Sequence, residues 1–180
     1  MTPFRNSFVV IFSSLLYCGG VLALSTDREQ PINIEADRAE ADDLKRTTIY
    51  RGDVVITQGT LKITGETVTI YYDEKGDLTK LVSVGSPARF HQLPDGKPDL
   101  PGNYQKAQAR RMEYYKDQDL IVLLGNAVYG QGGDRVAAER IVYDSRRSRM
   151  KAESRSAAAT EEGREKPARV KIKIEPKKDK

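Results

Sequence analysis

Tryptophan is absent from this 180-residue sequence, and cysteine and histidine occur once each, at Cys18 and His91. A lone cysteine excludes a disulfide framework, and one cysteine with one histidine cannot furnish a Cys/His zinc site. Imidazole acid–base chemistry would rest on His91 alone. That residue adjoins Phe90 with no acidic residue at a useful spacing, so a surface or packing role is expected. Nucleophile elbows, phosphate loops and metal-ligand motifs are missing too. The carboxylate pairs Asp42-Asp43, Asp117/Asp119 and Glu161-Glu162 fall in expected turns or the tail, where solvated charge is the simplest reading. Asp73 and Asp134 sit at turns without the ligand density calcium requires. The chain is expected to be no enzyme, with no cofactor and no bound metal.

A net charge of +4 invites a nucleic-acid reading until the charge is located. Residues 164–180 carry +5 and Arg5 adds one, leaving −2 on residues 26–163. The body is mildly acidic and the basicity belongs to a tail. Nucleic-acid-binding folds carry their basic stripe within the fold, so no nucleic-acid partner is expected.

One long apolar run exists, Phe8–Leu24, preceded by Arg5 and followed by the polar stretch Ser25–Gln30. It reads as a secretory signal over residues 1–25, cleaved near Ala23 or Ser25. An uncleaved anchor is the alternative, since the run approaches the shortest membrane span. Lipidation at Cys18 is disfavoured by Tyr17, where a lipoprotein signal needs a small residue. Cleavage leaves a cysteine-free chain suited to an oxidising compartment.

From Pro31 to about Ala152, short runs rich in Val, Ile, Thr and Tyr alternate with glycine turns. Examples are Val54–Thr57, Leu61–Thr64, Val68–Tyr72 and Ile121–Leu124. This pattern predicts an all-β domain over residues 26–152. Ala36–Thr47 and Gln105–Leu120 have helical propensity, but an internal repeat overrides it. An offset of 73 residues lays 34–73 on 107–146 without a gap, with eight identities including Gly52/Gly125, Gln58/Gln131, Gly59/Gly132 and Glu66/Glu139. The clear strand at 66–72 fills the slot of 36–42 and 109–115, which predicts strands there too. Alternation places Ile32, Ile34, Val54, Ile56, Leu61, Ile63, Val68, Ile70, Phe90, Met112, Tyr114, Ile141 and Tyr143 on an inner apolar face. Asn33, Glu35, Lys62, Thr69, Arg89 and Glu113 face the other way. Residues 153–180, rich in charge and proline, predict a disordered basic C-terminal tail.

Specific segments carry a family resemblance. Gln30–Asp37 resembles the opening of the mature OstA-like lipopolysaccharide-transport proteins. Tyr50-Arg51-Gly52-Asp53-Val54 running into Thr57-Gln58-Gly59 is similar to that family's best-marked motif, while Gly85–Phe90 and Leu123–Ala127 match two later landmarks. The departures are Asp53 for a usual asparagine and Lys116 for a frequent apolar residue. The resemblance spans about residues 30–152. It implies an open, twisted β-jellyroll, a V-shaped stack of short antiparallel strands with an apolar interior. It further implies a periplasmic, lipopolysaccharide-binding protein that carries the lipid from the inner to the outer membrane. The implied partners are lipopolysaccharide through its lipid A, the inner-membrane jellyroll LptC, the periplasmic domain of the outer-membrane protein LptD, and further copies joined head to tail. Ile32, Phe90 and Tyr114 fall on positions the family uses to contact lipid, and Ile34, Ile56 and Met112 are expected to line the same trough. The alternatives are a membrane-anchored LptC-like component and a periplasmic scaffold without lipid traffic; a polysaccharide enzyme would need a cleft-facing carboxylate pair, which the sequence does not offer.

Overall fold

The computed structural model describes residues 26–94, 96–97, 99–100, 102–154 and 169–176. The expected signal segment lies outside them. After a 3₁₀ turn at Thr26–Glu29 come ten strands: β1 Asn33–Glu35, β2 Arg38–Asp42, β3 Thr47–Gln58, β4 Leu61–Tyr72, β5 Leu78–Gln92, β6 Gln105–Tyr115, β7 Leu120–Gln131, β8 Asp134–Asp144, β9 Arg149–Glu153 and β10 Lys171–Lys173. A second 3₁₀ turn, Lys116–Gln118, joins β6 to β7. Most of both segments with helical propensity is strand, as Arg38–Asp42 and Gln105–Tyr115, because each has neighbours to pair with and an apolar face to bury.

Strands β3 to β8 form an antiparallel meander in one unclosed sheet. Its two edges are each made of a split strand. β1 and β2 both pair with β3, while β9 and β10 both pair with β8. The tail expected to be disordered therefore contributes structure. β9 runs to Glu153 and reaches only to Arg140 on β8, leaving the start of β8 unpaired; Lys171–Lys173 pairs there with Arg135–Ala137. The local alternation Val170-Lys171-Ile172-Lys173-Ile174 suits a strand, and charge density in the flanking sequence hides it.

The 73-residue repeat is realised in the backbone. β3 and β7 start and end 73 residues apart. Positive φ values recur at equivalent positions: Arg46 (51°) and Asp119 (47°), Gly52 (83°) and Gly125 (79°), Asp53 (39°) and Asn126 (51°), Gly59 (57°) and Gly132 (64°). Side-chain anchoring repeats as well. Gln58 Nε2 donates to the Gln30 carbonyl at 3.1 Å, and Gln131 Nε2 to the Asn103 carbonyl at 3.4 Å.

The register slips in the middle of every pair from β3–β4 to β7–β8, at Arg51/Val54, Thr64/Thr67, Val84/Ala88, Gln108/Arg111 and Leu124/Ala127. A bulge bends its strand, and bulges aligned across the sheet make a crease that divides it into two arms. Gly52 and Gly125 occupy that crease at positive φ, where a Cβ would strike the Asp37 side chain or the Arg110 guanidinium. Val54, Val68, Leu123 and Ile141 are all but fully buried and lie in one core cluster that draws residues from both arms. Burial of each side chain of this size stabilises by about 1.5–3 kcal/mol.

Candidate functional site: an apolar trough between two arms

Cross-strand register aligns the inner side chains in rows. On the first arm the row is Ile34, Ile56, Ile63, Phe90, Ala107, Tyr129, Val136 and Ile172, crossing eight strands. On the second arm, Ile70, Leu81, Tyr114, Ile121, Tyr143 and Met150 form a row, with Val68, Ser83, Met112, Leu123, Ile141 and Ala152 behind it. Neither row is interrupted by a charge. Period-two alternation on each strand produces this without further design, because every second residue reaches the same face.

The two arms leave a trough of about 350 Å³ between them, lined by Leu61, Ile63 and Phe90 from one and Leu81, Met112, Tyr114, Ile121 and Tyr143 from the other. Its rims are polar. On the first arm the buried Asp27 carboxylate accepts from the Thr60 amide at 2.8 Å, the Thr60 hydroxyl at 2.6 Å and Gln92 Nε2 at 3.3 Å. Burial pushes the Asp27 pKa up, but hydrogen bonds from Thr60 and Gln92 outweigh it and hold the carboxyl below its ordinary value. On the second arm Asp119 accepts from the Tyr114 hydroxyl at 3.4 Å and Arg146 Nε at 2.9 Å, and its carbonyl accepts from the Ser145 hydroxyl at 2.7 Å. A trough with apolar walls and hydrogen-bonded rims retains an apolar chain and keeps polar groups at the mouth.

The expected lipid-contact residues separate into three groups. Phe90, Met112 and Tyr114 line the trough together. Ile34 and Ile56 sit in the Phe90 row but nearer the N-terminal edge, with Ile56 buried and Ile34 packed against the core. Ile32 precedes β1 and is 55% exposed, outside any strand. Leu81 and Ile121 also line the trough. The register pairs both with Tyr114, a relation that alternation within single strands does not reveal.

The outer face differs from expectation at one point. Glu113 does face away from the trough row, yet it is buried, paired with Lys80 at 3.1 Å and Arg111 at 2.6 Å and accepting from the Tyr115 hydroxyl. Burial alone would raise its pKa; the Tyr115, Arg111 and Lys80 hydrogen bonds overcome that and bring it to about 2. Among the described residues, acidic, cysteine and histidine side chains nowhere gather in threes that could hold a metal ion, and no described helix is long and apolar enough to cross a membrane. Asp73, weighed above for calcium, instead accepts from the amides of Lys75 and Asp77 at 2.8 and 2.9 Å.

Comparison with known proteins agrees with this architecture. Residues 33–149 match the family model described as LptA/(LptD N-terminal domain) LPS transport protein. The chain is 38% identical over 177 residues to the lipopolysaccharide export system protein LptH of Pseudomonas aeruginosa, covering 97% of both chains. It is 33% identical to the lipopolysaccharide export system protein LptA of Escherichia coli K12 over 147 residues, covering 80% of this chain and 76% of that one. The crystal structure of LptH, the LptA-homologous periplasmic component of the conserved lipopolysaccharide transport device from Pseudomonas aeruginosa, superposes with a TM-score of 0.66 over 84% of this chain and 99% of that chain. The open sheet, the central crease and the matched residues together make this chain a member of the LptA/LptD N-terminal-domain family of lipopolysaccharide-transport proteins.

Proposed function

We propose that this chain is an exported periplasmic protein that binds lipopolysaccharide and relays it from the inner to the outer membrane. The supporting observation is the apolar row from Ile34 to Ile172, which crosses eight strands of an unclosed sheet without a charged residue. A row of that kind shields acyl chains, while the opening between the arms lets a bulky saccharide stay in water. Ile34, Ile56, Phe90, Met112 and Tyr114 contact the acyl chains, and Ile32 joins them at the N-terminal edge. The protein acts without catalysis: lipid moves down the row because adjacent positions differ little in apolar environment. Residues 1–25 are removed on export. The bridge is completed by an LptC-like jellyroll at the inner membrane, by the periplasmic domain of an LptD-like protein at the outer membrane, and by head-to-tail copies of this chain.

The test is site-specific photo-crosslinking in intact cells. Probes at Phe90 and Tyr114 are expected to capture lipopolysaccharide, and probes at Tyr71 and Val84, on the opposite face, are not. Equal capture at all four would indicate nonspecific adhesion and defeat the reading. N-terminal sequencing of the purified protein separates it from an anchored component, which would retain residues 1–25.

A further inference from the structure

Behind the apolar row of the first arm, on the outer face, runs a row of the opposite character. Register places Lys62, His91, Lys106, Gly130, Arg135 and Lys173 side by side across β4, β5, β6, β7, β8 and β10. Arg89 lies on the same face, two residues from His91. Lys62, Lys106 and Arg135 stand on alternate strands with His91 and Gly130 between them, and only Arg135 and Lys173 are directly opposed, where like charges repel unless a counter-charge meets them. Lys173 has one, Glu175 at 2.7 Å. Among the described residues, no carboxylate lies within salt-bridge distance of Lys62, Arg89, Lys106 or Arg135. Asp134, adjacent to Arg135, accepts instead from the Glu175 amide at 3.0 Å.

The row also borders a space. A cavity of about 740 Å³ opens on this face, walled by Arg89, Lys106, Arg135 and Lys173 beside the His91 ring. Asp134 and Glu175 line it as well, and the Glu175 carboxylate, paired with Lys173, lies over Gly133. His91 stacks on Tyr104 with ring centroids 4.2 Å apart and planes 3° from parallel, giving the cavity a flat wall of the type saccharides pack against. Burial, then Lys106 and Lys62, push the His91 pKa down.

Position supplies the ligand. Each cation is the chain neighbour of a residue in the first arm's apolar row: Lys62 of Ile63, Lys106 of Ala107, Arg135 of Val136 and Lys173 of Ile172. Lys62, Lys106 and Arg135 are each one residue in from a strand end, since β4 begins at Leu61, β6 at Gln105 and β8 at Asp134. A head group leaving the trough over this margin needs to travel only about 7 Å along the strands, two residues' rise, to reach the outer face. We propose that Lys62, Lys106 and Arg135, flanked by Arg89 and Lys173, bind the phosphate groups on the saccharide head of the lipopolysaccharide whose acyl chains occupy the inner face of the same arm. The inference rests on the lipid-carrying reading above. It adds a second, electrostatic contact on the far side of the sheet, so that the lipid straddles the arm's margin.

The experiment compares the mature protein with the triple variant Lys62→Gln, Lys106→Gln, Arg135→Gln and the single variant Lys106→Gln. All three sites are exposed, so thermal midpoints are expected to match. Three probes are used: phosphorylated lipopolysaccharide, the same lipid after phosphatase treatment, and the deacylated phosphorylated saccharide. Lys106→Gln is expected to bind phosphorylated lipid about tenfold more weakly, the loss of one charge-assisted contact, and the triple variant more weakly still, while both bind dephosphorylated lipid as well as wild type does. His91 is the chain's one histidine, so its proton NMR titration reports the site directly. The deacylated saccharide is expected to raise the His91 pKa in wild type and leave it unmoved in the triple variant. An equal loss for both lipids, or no His91 shift with the saccharide in wild type, overturns the proposal. Loss of self-association with unchanged ligand affinity also overturns it, assigning the row to contact between copies. If neither acylated lipid binds wild type while the saccharide still shifts His91, the trough reading fails and the anion site survives.

Discussion

The rings of Tyr129 and Tyr143 stack with centroids 5.6 Å apart, although one belongs to the Phe90 row of the first arm and the other to the Tyr114 row of the second. This contact joins the arms toward the C-terminal edge and bounds the trough there. Burial, with Tyr143 close by, pushes the Tyr129 pKa up to about 12, so the phenol stays neutral at any physiological pH.

Replacement of Tyr129 tests that closure. Tyr129→Ala is expected to lower stability by roughly 2–3 kcal/mol, below the value for a fully buried aromatic because Tyr129 is half-buried. Tyr129→Phe keeps the stacked ring and should cost under about 1 kcal/mol. Urea unfolding of residues 26–180 measures both. Similar losses from the two substitutions would mean the hydroxyl, not the ring, carries the contact.

Glu113 makes the domain acid-sensitive. Its carboxyl titrates at about 2 in the fold against 4.5 unperturbed. A depressed carboxylate contributes stability that is fully present above its unfolded pKa and is lost as pH falls through its folded pKa. Stability is therefore expected to decline from about pH 4.5 toward pH 2, by on the order of 2–3 kcal/mol for this one group. Glu113→Gln should already be destabilised at pH 7, since Lys80 and Arg111 lose their partner, and should show a flatter pH profile over that window. Denaturant midpoints at pH 2.5, 3.5, 5 and 7 decide it; parallel profiles for the two proteins would exclude Glu113 as the source.

Gly52 and Gly125 occupy equivalent positions in the crease at nearly the same φ, yet alanine should not be equally tolerated. The left-handed backbone costs an L-residue about 1–2 kcal/mol at either site. At Gly52 the new Cβ also lies 2.7 Å from the Asp37 Cβ, whereas at Gly125 it meets only the flexible end of Arg110. Gly52→Ala is expected to be the more destabilising by about 1 kcal/mol or more, the cost of displacing a crowded neighbour. Thermal melts of the two single variants give the ranking, and the reverse order would refute the crowding argument.

Much of this architecture is legible in the sequence because its determinants are local and repeated. Alternation in Leu61–Thr64 and Val68–Tyr72 assigns faces, and the 73-residue offset turns Arg38–Asp42 and Gln105–Tyr115 from apparent helices into strands. Information that depends on register is less accessible. The Leu81–Tyr114–Ile121 wall and the Lys62–Lys106–Arg135 row exist only once strands are aligned, and the bulges that set the alignment depend on packing at the crease. β10 escapes for another reason. Its three residues are exposed and pair only because β9 stops short of them. The burial of Glu113 follows from Lys80, Arg111 and Tyr115 converging from two strands, which linear spacing does not show.

The split edges yield a prediction about assembly. β1 and β2 expose one edge of the sheet and β9 and β10 the other, and unpaired strand edges invite strand addition. Unlike edges meeting head to tail extend an open filament rather than close a dimer. Part of the charge that would guide this contact is already engaged within the chain: Glu40 with Arg51 at 3.1 Å, and Lys151 with Glu153 at 2.6 Å. Backbone pairing, not ion pairing, should then dominate, because exposed pairs contribute about 1 kcal/mol or less and are screened by salt. Light scattering of residues 26–180 is expected to show oligomers that grow with concentration and shrink only modestly as salt is raised. Deletion from Asp144 onward removes β9 and β10 together and should weaken association most. Deletion of residues 169–180 alone removes only β10, and because β9 still covers Arg140–Asp144 on β8, it should weaken association without abolishing it. A chain that stays monomeric across the concentration range, with all its edge strands intact, could not extend from one membrane toward the other, and the bridge would have to be built from other proteins.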